Sequence, residues 1–99
     1  MSEEQVPKTV ITCESTVDIN IAVDLHAHLK NALENKHVVE IDASEVQRVD
    51  TAILQVFLAY SQEAKLQGLQ FCWQGVSDAF RSAAYLLGIE EELALPEAA

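Results

Sequence analysis

The stretch Val38–Ile53, VVEIDASEVQRVDTAI, decides the reading of this chain. Val38-Val39-Glu40-Ile41-Asp42 is short and mostly β-branched, the pattern of a central strand buried on both faces, with Asp42 emerging at its end as the mouth of a loop. Ser44, Glu45, Gln47 and Arg48 read as a wet loop that Val46 and Val49 anchor against the core. From Thr51 the spacing changes to that of a helix. Ile53, Leu54, Phe57, Leu58, Ala64 and the body of Tyr60 share its apolar side, and Gly68 suits a left-handed cap after Gln67. A single hydroxyl, on Thr51, therefore stands at a helix N-terminus, where free N–H groups and the helix dipole favour an anion. That placement suits a phosphorylation switch better than a catalyst. The plain alternative is an N-cap, or a neighbour of an Asp50 cap, contributing about 1 kcal/mol and nothing else.

Outward from this segment, Thr9–Cys13 is β-rich, Glu14-Ser15 suits a turn, and Thr16–Ile19 reads as a second strand, so the two predict a hairpin. Ile21, Leu25, Leu29, Ala32 and Leu33 then mark one face of a helix over Asn20–Glu34, with Asn35 available to end it. Leu69–Trp73 suits another strand, with Trp73 at a sheet edge or end, and Gly75 is expected to turn the chain. Ser77 caps a helix carrying Phe80, Ala83, Ala84 and Leu87, and Gly88 ends it. The tail Leu93–Pro96 is either a short packed segment or frayed. The order predicts an α/β fold, a mixed four- to five-stranded sheet with parallel crossovers and helices packed mainly on one face. With 99 residues this is one domain, placed at residues 9–95 after a flexible N-terminus at 1–8.

Composition excludes several function classes. A net charge of −10 repels phosphate backbones and anionic lipid surfaces, so nucleic acid is not an expected ligand. Most of the acidic residues, Glu90–Glu92 among them, read as a solvated face, although the same field could steer a basic protein partner. No apolar run is long enough to span a membrane, and MSEEQVPKT puts acidic residues ahead of any apolar stretch, so no membrane insertion or secretory signal is expected and the chain reads as cytoplasmic. Cys13 and Cys72, both in strand-like stretches, read as reduced, buried thiols. His26 and His28 point about 200° apart on a helix and cannot chelate one metal from one face, so no metal is expected. Asp42 and Asp50 could imitate a paired-carboxylate site, but no basic clamp or Gly-rich cradle accompanies them. No cofactor fingerprint and no credible nucleophile–base pair appears, so the chain is not read as an enzyme.

The strand-loop segment VVEIDASEVQRVDTAIL resembles the "hydrophobic strand, Asp-Leu-Ser, then Asp-Ser/Thr-x-Gly-Leu" passage of the STAS domain. LQFCWQGVSDAFRSAAYLLGIEEEL resembles the closing strand, Ser-capped helix and Leu-x-Gly-Leu of the same family. The resemblance covers about Thr9 to Leu93. It implies a protein-interaction module of the anti-sigma factor antagonist type, acting in bacterial signal transduction through an anti-sigma factor or a serine/threonine kinase. By this resemblance Thr51, after Asp50, matches the phosphorylated position, and Asp42, Ser44, Asp50, Thr51, Ala52 and Ile53 form the partner-binding surface. Family members also serve as small cytoplasmic subunits of lipid-trafficking ABC transporters, docked on the ATPase, and that is the alternative reading. Ile53 departs from the family's usual glycine, and its β-branched side chain is expected to narrow the approach of a partner backbone.

Overall fold

A computed structural model describes residues 8–96; the N-terminal expectation for residues 1–7 lies outside the described residues, and Lys8 already belongs to a strand. The elements are β1 (Lys8–Thr12), β2 (Thr16–Val17), α1 (Ile19–Glu34), β3 (Val38–Ala43), β4 (Arg48–Val49), α2 (Thr51–Leu66), β5 (Phe71–Val76), α3 (Asp78–Leu87) and α4 (Glu90–Leu93). The α/β architecture is the expected one, with five strands described. They divide into a three-stranded sheet in the order β1-β3-β5 and a two-stranded sheet of β2 and β4, and every pairing among the described residues is parallel.

The predicted hairpin does not form. Cys13 still donates to the Asp42 carbonyl at 2.9 Å, so the chain leaves β1 running alongside β3 instead of folding back. Thr16 and Val17 then pair with Arg48 and Val49, a strand that reads as loop in the sequence because it is only two residues long. Asp18, expected inside the second strand, is the N-cap of α1 and its carboxylate accepts from Asn20 N–H at 3.0 Å.

β3 is central, but it is not sealed on both faces. Val39, Ile41 and Ala43 are fully buried, whereas Val38, Glu40 and Asp42 on the other face are half-buried. Glu40 there pairs with Lys8 at 3.3 Å and accepts from Gln74 at 2.7 Å, so that face is polar. On the covered face the core gathers Leu25, Leu29 and Ala32 of α1, Ile53, Leu54 and Phe57 of α2, and Phe80 and Ala84 of α3. The Phe57 ring meets Trp73 at 5.4 Å and Phe80 at 6.0 Å between centroids, and Trp73 meets Phe80 at 5.3 Å, tying β5, α2 and α3 together. Such pairs contribute about 0.5–1.5 kcal/mol each beyond area burial. The tail is packed: Leu93 is buried in α4, and its carbonyl accepts the Trp73 indole N–H at 2.8 Å.

Gly75 does not turn the chain but lies inside β5, next to a register shift where Ile41 faces Trp73 and Asp42 faces Gly75. A Cβ there would stand 2.8 Å from the Ser44 Cβ, so only glycine lets β5 approach the Asp42–Ser44 corner. Cys72 also departs from expectation, being exposed on the open face of β5, whereas Cys13 is buried. Burial, with the Asp42 charge adding to it, pushes the Cys13 thiol up to about 11.

Two outcomes follow from these placements. Gly75→Ala should lower stability in chemical denaturation by about 1–3 kcal/mol, because Ser44 cannot retreat without moving the end of β3. A thiol reagent added to the native protein should label Cys72 promptly, with Cys13 labelled only on unfolding; peptide mapping by mass spectrometry distinguishes the two.

Candidate functional site

The site is assembled where two helices begin side by side. β2 and β4 bring the chain ends before α1 and α2 together: Gln47 and Arg48 N–H groups bond the Ser15 carbonyl at 2.7 and 3.0 Å, and Asp50 N–H bonds the Val17 carbonyl at 3.0 Å. Asp50 occupies the N-cap position of α2, as expected, but its side chain makes no capping bond there. Instead Oδ2 accepts from the Ile19 N–H at 3.1 Å, the first residue of α1. One carboxylate thus satisfies the start of the neighbouring helix, while the Asp18 carboxylate satisfies the next N–H along.

The consequence falls on α2. Ile53 and Leu54 N–H groups bond the Asp50 carbonyl at 3.0 and 3.3 Å, and among the described residues nothing accepts from the N–H groups of Thr51 or Ala52. Thr51 is exposed and Ala52 half-buried. The helix end therefore presents a hydroxyl and two unengaged donors to the outside, the arrangement that receives an anion or a partner's carbonyl oxygens.

The remaining expected residues divide. Asp42 and Ser44 form a separate corner at the end of β3, where the Asp42 Oδ1 accepts from Ser44 Oγ at 2.6 Å and from Ser44 N–H at 3.0 Å. The Ser44 hydroxyl, and then its backbone N–H, hold the Asp42 carboxyl below the usual carboxylate range. Asp42 and Asp50 belong to different hydrogen-bond systems. Ile53 is fully buried against the core, so its side chain neither contacts a partner nor narrows the approach to Thr51. This corrects its place on the partner surface: the third residue of α2 turns inward with the apolar face of the helix.

His26 and His28 are both exposed on α1. Sequence reasoning missed the apolar residues flanking the site. Ile19, bonded through its N–H to Asp50, is 60% exposed, and Val23, one turn further along α1, is 76% exposed. An apolar residue preceding the Ile21-Leu25-Leu29 stripe, off its phase, was the available signal.

A family profile described as "Mlab, STAS domain" matches residues 1–97. The chain belongs to the STAS domain family. Its backbone is similar to the crystal structure of a sulfate transporter family protein from Wolinella succinogenes, with a TM-score of 0.69 and 19% identity over 91% of this chain and 75% of that one. At that identity the likeness bears on the fold. A comparison with curated proteins finds no match. The fold is that of a protein-interaction module, and among the described residues no helix is long and apolar enough to cross a membrane.

The Asp50 contact yields a direct outcome. Asp50→Ala should cost about 1 kcal/mol in denaturation and speed amide exchange at Ile19, since it removes an acceptor from a helix start. Thr51→Ala, at an exposed position without a capping bond, should stay within about 0.5 kcal/mol of wild type.

Proposed function

We propose that this STAS domain is a non-enzymatic interaction module of the anti-sigma factor antagonist type, which binds a regulatory protein through the start of α2 and is switched by phosphorylation of Thr51. The observation that carries this reading is the unengaged N-terminus of α2, left open because Asp50 is committed to Ile19. The partner is a regulatory protein such as an anti-sigma factor or a serine/threonine kinase. Its contact surface comprises Asp50, Thr51 and Ala52, flanked by exposed Ile19, with the Asp42–Ser44 corner as a further element.

A phosphate on Thr51 adds about −1.5 to −2 charges and acceptor oxygens at an end of the helix where the dipole stabilises an anion by roughly 0.3–1 kcal/mol. Thr51 is exposed, so the modification meets no core atoms and the fold is retained. Binding responds differently. A partner shaped to receive a neutral hydroxyl would have to desolvate the new charge beside the Asp50 carboxylate, and both terms oppose association. The buried position of Ile53 supports this reading, because the departure from the family's glycine leaves the approach to Thr51 unobstructed.

A second reading, a small STAS subunit docked on the ATPase of a lipid-trafficking ABC transporter, is supported by the matching family description, "Mlab, STAS domain". It uses the same surface without needing a switch.

The test is affinity capture with wild type, Thr51→Ala and Thr51→Glu, with bound proteins and any Thr51 phosphate identified by mass spectrometry. The switch reading expects a regulatory partner held by wild type and Thr51→Ala and lost with Thr51→Glu, while the melting temperatures of the three remain close. Equal capture by all three would overturn the switch, and an ATPase so captured would favour the transporter subunit.

A further inference from the structure

A recess runs along the outer edge of β1. The Cys13 N–H to Asp42 carbonyl bond, together with the parallel register of β1 on β3, fixes which backbone groups face inward: those of Thr9, Ile11 and Cys13. Val10 and Thr12 therefore turn their N–H and C=O groups outward, and among the described residues no strand lies beyond them. Beside this edge, β1 and α1 enclose a groove of about 390 Å³. Its apolar lining comes from Ile11, Val17, Ile21 and Leu25, and its exposed carboxylates from Glu14 and Asp24.

Three features coincide here: a free strand edge, an apolar recess beside it, and acidic residues at the recess in a chain of net charge −10. A free edge pairs with an extended chain, the recess selects an apolar side chain, and the carboxylates select a cation. We propose that this groove binds an extended segment of a partner protein that carries both apolar residues and lysine or arginine on its α1-facing side, added to the sheet as a strand against β1. A second copy of this chain is a poorer occupant, since it brings a further −10 to an acidic surface. The inference does not rest on the Thr51 reading.

The test is a titration of the full chain, followed by amide NMR, with a capped peptide of the pattern Val-Thr-Lys-Thr-Val-Thr-Lys, which puts valine and lysine on one face of the strand. The expected result is shifts at Val10 and Thr12 and along Ile21–Leu25, with affinity that falls as salt is raised. Asp24→Lys should weaken binding roughly two- to fivefold, as for a partly exposed ion pair. Thr12→Pro should abolish it, because it removes an outward N–H while leaving the bonds to β3. A circular-dichroism melt checks that Thr12→Pro folds; if it does not, Asp24→Lys and the salt titration still decide. The proposal is overturned by shifts that fall elsewhere, by no shifts at all, or by equal binding of the same peptide with glutamate in place of lysine. It is also overturned if the β1 resonances respond to protein concentration and not to peptide, which would assign the edge to self-association.

Discussion

The rest of this structure depends on the way β3 divides its backbone. Its even-numbered residues turn their peptide groups toward β1, as the Asp42 carbonyl accepting from Cys13 shows. Its odd-numbered residues turn theirs toward β5, as Val39 donating to the Gln70 carbonyl shows. Parallel pairing on both edges forces each connection to travel the length of the sheet, and α1 and α2 are those connections. Because both crossovers start from the same end of the sheet, the starts of α1 and α2 come within reach of one carboxylate. The proposed surface is in this sense a product of the topology before it is a product of any particular side chain.

What was legible in the sequence follows from signals that are local. The periodicity of Ile21, Leu25, Leu29 and Ala32 predicts α1 to within a residue, and Ser77 with Phe80 and Gly88 predicts both ends of α3. Thr51 is at a helix N-terminus as expected, for the same reason. What was illegible is non-local. β-rich Thr9–Cys13 and Thr16–Val17 carry the residues of a hairpin, yet each is claimed by a strand more than twenty residues away, and no pattern within a hairpin-sized window reports that competition. Gly75 illustrates the same limit: glycine after a strand reads as a turn, and its true cause, the approach of Ser44 across the sheet, lies on another strand.

The site shows a finer version of this division. An aspartate before a helix reads as its cap, and Asp50 does occupy that position. Which helix its carboxylate serves depends on what else arrives nearby, and here the start of α1 arrives. Ile53 was misread for a related reason. A substitution within a motif reads as a change to the surface that the motif forms, but the helical phase of residue 53 sends its side chain to the core beside Leu54 and Phe57. The aromatic cluster of Phe57, Trp73 and Phe80 was likewise visible only as separate core residues, although it is what joins α2 to the closing half of the fold.

Asp50 thus couples the rigidity of the site to its openness. If its carboxylate capped α2, the Thr51 end would be self-satisfied and would offer an incoming group little, because donors already paired contribute nothing new on binding. By serving α1, Asp50 secures one helix start and leaves the other with two donors facing outward. The same carboxylate supplies a fixed negative charge beside Thr51, so a neutral hydroxyl and a phosphate at that position present different electrostatic surfaces on one unchanged scaffold. A switch built this way requires no rearrangement of the fold. In the proposed switch the free N–H groups would make the α2 start tolerant of an added anion, while the neighbouring carboxylate would make a partner intolerant of it, opposite responses from groups belonging to adjacent residues.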